Sequence, residues 1–328
     1  MSDTDADLAP VRLPARDISP PSTISAQARQ ALAAGALAPA VIWPAADDLE
    51  GWRLAAAGSE AIWNPVAERL LAACRASVTT EQIGGVTCYV STPLGLEPPA
   101  RARVYLYLHG GALLFGDGIY AKAMGAVSAE RLGLTTVSVD YRMAPAHPFP
   151  AALEDCVAVY RELLKTYDPA HIVIGGSSAG GNLAAAAALM IRDTGLPLPA
   201  AVVLLTPEID LTEAGDTFRT NALLDVVLKG GLPTCNAAYA AGHDLTDPYV
   251  SPLFGDFTLG FPPTFIQSGT RDLFLSNSVL MHRKLRKAGV EAELHVWEAM
   301  PHAGFGTDDA PENREIDDEL RRFIGRYA

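Results

Sequence analysis

Cations and cysteines are both in short supply in this chain, and each shortage removes a class of protein. Only 25 Lys and Arg face 38 Asp and Glu, a formal charge of −13. Nucleic acid and anionic membrane both reward a basic face, so neither is expected as a partner. The same charge repels anionic small molecules and leaves neutral or weakly charged substrates. Cys74, Cys88, Cys156 and Cys235 are scattered and form no C-x-x-C pair. That excludes a disulfide scaffold and a zinc module and fits a reducing compartment. Long apolar runs are missing as well: those near Leu183–Ile191 and Ala200–Leu205 are too short to span a bilayer. The start, Met1-Ser2-Asp3-Thr4-Asp5, is acidic where a secretory leader is basic, so a cytoplasmic location is expected. Neither H-E-x-x-H, a dinucleotide G-x-G-x-x-G nor a Walker A loop occurs, and His and Cys show no ligand spacing. Chemistry without metal or cofactor is therefore expected.

What the chain does have is apolar mass. Hydrophobic residues make up 49% and charged residues 19% of 328 residues, which rules out disorder and allows a sizeable core. Ser25–Leu37, Asp48–Leu54 and Asn64–Cys74 read as helices, the last opened by Asn64 as cap and Pro65 at the first helical position. Strand patterns follow at Val86–Ser91, Val104–Leu108, Thr135–Val139, His171–Ile174, Ala201–Leu205, Phe265–Ser268 and Glu293–Trp297. Helical stretches at Ala151–Tyr167, Asn182–Arg192, up to Ala288 and Glu312–Arg326 alternate with them. Such alternation calls for an α/β fold with a mostly parallel sheet, and chemistry then sits at the carboxyl ends of the strands. The expected layout is N-terminal cap helices over 1–80, a core over 81–210 and 260–328, and a cap insertion over 211–259.

Gly176-Ser177-Ser178-Ala179-Gly180-Gly181 joins the strand at His171–Ile174 to the helix at Asn182. A G-x-S-x-G in that setting is a nucleophile elbow, and only Ser178 fits the frame, because Ser177 would need glycine where Ala179 stands. The helix start aims the Ala179 N–H at a developing oxyanion. The bland alternative is a glycine-rich turn without chemistry. His109-Gly110-Gly111-Ala112, after the strand at Val104–Leu108, offers backbone N–H groups for the second half of an oxyanion hole, with His109 bracing the loop. A serine nucleophile needs a base active near neutral pH. Of seven histidines, His302 alone lies both after the acid candidates and at a strand's carboxyl end. For the acid, Asp272 in Gly269-Thr270-Arg271-Asp272 is preferred, with Glu208 and Asp210 one strand earlier left open. Asp272 could equally cap the helix that follows it.

Several of these motifs together resemble the hormone-sensitive-lipase-like branch of the α/β-hydrolases, the bacterial family IV carboxylesterases. The resemblance covers Tyr105 to the C-terminus. It is carried by His109-Gly110-Gly111, Asp140-Tyr141-Arg142-Met143-Ala144-Pro145, His147–Asp155, Gly176–Gly181, Gly269–Leu273 and His302–Phe305. It implies the α/β-hydrolase fold with a helical cap, Ser178, Asp272 and His302 as triad, and Gly110, Gly111 and Ala179 as oxyanion donors. It further implies a homodimer through the final strand, and Gly269–Gly289 is similar to members known as lactone hydrolases. The chain departs from the family at Ala112, where a third loop glycine is usual, at Ser177 (usually Asp or Thr), and at Leu273-Phe274 (often Pro-Leu). The expectation is a serine hydrolase of short-to-medium acyl esters or small lactones. Amidase, thioesterase or acyltransferase chemistry with the same triad is the near alternative, and a catalytically silent ligand-binding protein the distant one.

Overall fold

Strands β1 (Ala76–Ile83), β2 (Val86–Pro93), β3 (Val104–Leu108), β4 (Thr135–Val139), β5 (Ile172–Ser177), β6 (Ala201–Leu205), β7 (Thr264–Gly269) and β8 (Ala292–Trp297) build one sheet. Its order is β1-β2-β4-β3-β5-β6-β7-β8. The first two strands are antiparallel to their neighbours, and the six from β4 to β8 in that order run parallel. The computed structural model describes residues 11–97, 102–306 and 310–328. Side chains alternate across each central strand: Val104, Leu106 and Leu108 enter one apolar core, Tyr105 and Tyr107 the other. A sheet apolar on both faces must be covered on both, which is the parallel case. Helices α4 (Ala151–Leu163), α5 (Ala179–Asp193) and α8 (Leu275–Lys287) contribute to the larger core. The end of α3 (Ile119–Leu132) and α9 (Pro311–Tyr327) contribute to the smaller. The α/β-hydrolase architecture expected from the sequence is the observed one.

Three local expectations need correction. The helices expected at 48–54 and 64–74 are one, α2 (Leu49–Ala73), capped by Asp48, whose carboxylate accepts the Gly51 N–H at 2.9 Å. Pro65 lies inside it on an exposed stretch, and buried Trp52 and Ala67 tie down both halves, so tertiary contact overrides the proline break. Strand β1 had no sequence signal, since no residue of it is buried and its polar side chains alternate with nothing. Helix α3 was silent for another reason: its buried face is Ala121, Ala123, Gly125, Ala126 and Ala129, with few bulky residues to mark a period.

The register brings the strand ends together. Leu108 stands opposite both Val139 and Gly176, Ser177 opposite Leu205, and Gly269 opposite Trp297. The loops beginning at 109, 140, 178, 206, 270 and 298 therefore leave one edge of the sheet. Above that edge, α1 (Ala26–Ala36) packs Ala28 and Leu32 against Ala299, Met300 and Phe305, while Trp52 of α2 and Trp43 pack on Phe115. The insertion after β6 holds α6 (Thr217–Thr220) and α7 (Pro233–Ala240). No helix among the described residues is long and apolar enough to cross a membrane.

Candidate active site

Ser178 has φ 58° and ψ −121°, a region costly for a residue with a Cβ, and α5 begins at the next residue. The turn exists because its flanks are bare. A Cβ on Gly180 would lie 1.9 Å from the Leu108 carbonyl oxygen, and one on Gly176 2.3 Å from the same atom. Ser178 donates its N–H to Leu205 (2.9 Å), and its carbonyl accepts from Gly181 (2.9 Å) and Glu208 (3.2 Å), which ties the elbow to the neighbouring loop. The Ala179 N–H opens α5 and has no acceptor within that helix.

The loop after β3 lies against the elbow: a Cβ on Gly110 would be 3.4 Å from Ser178 Cβ. Gly111 has φ 131°, and Ala112 and Leu113 follow with φ 53° and 65°. His109 is fully buried and stacks on Tyr141 at 4.1 Å and 6°. Its Nδ1 is 2.9 Å from the Gly110 carbonyl, and the Tyr141 hydroxyl donates to the His109 carbonyl at 2.7 Å. Those bonds assign the proton to Nδ1 and leave Nε2 buried without a partner. Burial lowers the pKa of His109 to about 4, so it stays neutral at working pH. Its ring and carbonyl thus contact both Gly110 and Tyr141. Around it, Asp140 accepts from Gly118 N–H (2.9 Å) and the Tyr89 hydroxyl (2.9 Å), and Arg142 forks onto Asp155.

On the opposite side, His302 Nδ1 is 3.1 Å from Asp272 Oδ1, with both side chains buried. The other carboxylate oxygen accepts the Ser268 hydroxyl at 2.6 Å, and Oδ1 also accepts the Phe274 N–H at 3.0 Å. Phe274 meets the imidazole edge-on at 4.9 Å. Of the three acids the sequence offers, Asp272 is the one hydrogen-bonded to the imidazole. Glu208 is buried with both oxygens unpaired, and burial foremost, with Glu213 behind it, lifts its pKa to about 8. Asp210 accepts from Thr212 instead. The helix after Asp272 starts at Leu275 with no side-chain cap. Between His302 and the Ser178 hydroxyl no hydrogen bond is formed. Catalytic hydrogen bonds are often long in substrate-free sites and tighten around the substrate.

Two residues next to this pair carried no sequence signal. The Asp225 carboxylate accepts the backbone N–H of Leu273 (2.8 Å) and of His302 (3.2 Å), and the Asn221 amide donates to the Asp272 carbonyl (2.9 Å). Among the described residues, no group of three or more His, Cys, Asp and Glu could hold a metal ion. Two clefts flank the strand ends. One of about 570 Å³ is lined by Trp52, Phe115, Asp117, Tyr141 and Met143. The other, about 470 Å³, runs between α1 and the His302 loop past Gln30, Ala34, Val226 and Pro301.

Comparison with known proteins agrees with this geometry. Residues 105–306 match the α/β-hydrolase fold family. The chain is 36% identical over 208 residues to an acetyl-hydrolase of Streptomyces hygroscopicus, covering 62% of this chain and 69% of that protein. It is 32% identical over 212 residues to an esterase of Acinetobacter venetianus, covering 63% and 70%. A crystallised esterase superposes with a TM-score of 0.89 at 34% identity over 97% of this chain and 99% of its own. A hormone-sensitive lipase from a metagenome library gives 0.80 at 31%, covering 93% and 99%. With its sheet order, elbow and family match in agreement, the chain belongs to the α/β-hydrolases, in their hormone-sensitive-lipase-like branch of carboxylic-ester hydrolases.

Proposed function

We propose that this enzyme hydrolyses neutral esters of short-to-medium acyl chains, or small lactones, through an acyl-enzyme on Ser178. His302, held through Nδ1, takes the serine proton at Nε2 as Oγ attacks the acyl carbonyl. Asp272 stabilises the imidazolium, and the N–H groups of Gly110, Gly111 and Ala179 receive the oxyanion. The leaving alcohol departs with the proton from His302. Water then gives its proton to the same imidazole, attacks the acyl carbon and releases the acid, returning the proton to Ser178. The observation that carries this reading is the buried His302–Asp272 hydrogen bond, the imidazole having no comparable bond to Glu208 or Asp210. The clefts beside α1 and α2 support the layout of 1–80 and 211–259 as a cap over the core. The charge of −13 supports uncharged substrates, and four free thiols support a reducing, cytoplasmic compartment. β8 ends the sheet and is the edge through which a homodimer would pair; sedimentation of a clean monomer rejects that pairing.

The test is mass spectrometry after fluorophosphonate treatment. A single adduct on Ser178, lost in Ser178→Ala and kept in Ser177→Ala, is the expected result. An adduct on Ser177, or none on folded protein, overturns the assignment. Comparing p-nitrophenyl esters of increasing chain length with a small lactone then ranks the substrates.

A further inference from the structure

The insertion after β6 contains three buried polar residues spaced four apart, Thr217, Asn221 and Asp225, exposed by 8%, 5% and 0%. All three turn to the loop that carries Asp272. The Thr217 hydroxyl donates to the Leu273 carbonyl (2.8 Å) and accepts the Ser276 N–H (2.9 Å). The Asn221 amide spans the carbonyls of Asp272 (2.9 Å) and Thr270 (3.2 Å). Asp225 goes further. Its Oδ1 accepts Val227 and Leu228 N–H at 2.9 and 3.1 Å, the local turn an aspartate commonly makes. Its Oδ2 reaches two other loops, accepting Leu273 N–H on the acid side and His302 N–H on the base side. A turn needs only the first oxygen. The second joins the backbones on which acid and base are mounted, 30 residues apart in sequence.

We propose that Asp225 is a positioning residue for the acid–base pair, fixing the spacing of Asp272 and His302 from the insertion and placing a second negative charge beside the imidazolium formed in each half-reaction, with Asn221 as its neutral partner. This rests on the triad assignment above. Burial raises the Asp225 carboxyl above the ordinary carboxylate range, and His302 and the Leu273 and Val227 N–H groups pull it back, so the residue is coupled to the base. Among the described residues, the ionisable groups engaging His302 are Asp272 from the loop after β7 and Asp225 from the segment after α6, and α1 brings uncharged Gln27 and Gln30 to the adjoining cleft. Four N–H donors require two accepting oxygens. Asparagine has one, so Asp225→Asn leaves one donor pair facing an amide NH₂.

The experiment measures kcat and KM of Asp225→Asn and Asn221→Ala on p-nitrophenyl butyrate across pH, with melting curves. For Asp225→Asn, kcat falls about 100-fold with KM within about threefold, as for a small displacement of a catalytic pair. The acid limb of kcat/KM moves to lower pH by about half a unit or more, because the imidazolium has lost an anionic neighbour. For Asn221→Ala, kcat falls about tenfold and the acid limb stays where it was, no charge having been removed. Parental kcat in both variants overturns the proposal, and so does an Asp225→Asn enzyme whose acid limb is unmoved. If Asp225→Asn does not fold, Asn221→Ala decides alone, and parental kcat there is fatal. Fluorophosphonate labelling of the parent separates the two readings. An unlabelled parent sinks the triad, whereas a labelled parent with unaffected variants sinks only the positioning role.

Discussion

The loop that lies against Ser178 and the loops that carry Asp272 and His302 are held by different physics. The oxyanion side is held by shape: a stacked His109–Tyr141 pair, a sealed neutral imidazole and a run of three residues at positive φ, two of them not glycine. The acid–base side is held by hydrogen bonds, with a carboxylate and an amide from the insertion each spanning two backbone groups. The first holds three consecutive residues at positive φ. The second must fix two side chains from different strands while leaving their proton-carrying atoms free. A site assembled this way has one half that fails by crowding and another that fails by losing partners.

The largest effect is expected from Asp272→Asn, which keeps the volume but leaves the imidazole in the wrong tautomer. Steady-state kcat should drop by about 10⁴-fold, as at other triads, with little change in melting; a loss under tenfold would return Glu208 to contention. Next comes pH. Glu208 has a folded pKa of about 8 against an ordinary 4.5, so the folded state holds a proton that the unfolded state releases between those values. Its contribution is full below pH 4.5 and is lost as pH rises through 8, on the order of 5 kcal/mol in all. Melting temperature should therefore decline across that window, and Glu208→Gln should flatten the decline; parallel curves for the two proteins would show Glu208 titrating normally. Smaller again, Tyr141→Phe keeps the ring stack but strands the buried His109 carbonyl, for about 1.5 kcal/mol of stability and a several-fold lower kcat. Denaturant melts that superimpose on the parent's would place the strength of that loop in the stack alone. Smallest is Ala112→Gly, which relieves a φ of 53°. A gain of about 0.5 kcal/mol is expected after the added flexibility of the unfolded chain is counted, and a loss would mean that the Ala112 methyl packs usefully.

What the sequence made legible follows the same division. Short β-rich apolar runs marked the central strands, and the elbow could be read because Gly176, Ser178 and Gly180 form a local G-x-S-x-G pattern between a strand and a helix. Ser178, Asp272 and His302 were singled out because each follows a strand, and strand ends are where a parallel sheet keeps its chemistry. Asp225 was not, since its partners lie 48 and 77 residues away and an aspartate before Val-Val looks like any loop residue. Strand β1 and helix α3 escaped through weak contrast, one with no buried residue and the other built of alanines that bury without marking a period. The continuous α2 escaped because Pro65 is a local break signal that a distant surface overrides.

Ala184–Ala188 form five consecutive residues of α5, all at most 1% exposed. A helix whose middle carries only methyl groups can settle close to its neighbours there, and Ser178 is the residue from which that helix sets out. The thickness of the methyl layer thus acts as a spacer, deciding how far the serine stands from the strand ends. One larger side chain in the stripe would lift the whole rod and carry the serine with it. The position of Ser178 is in part recorded two turns away, in a stretch of alanines.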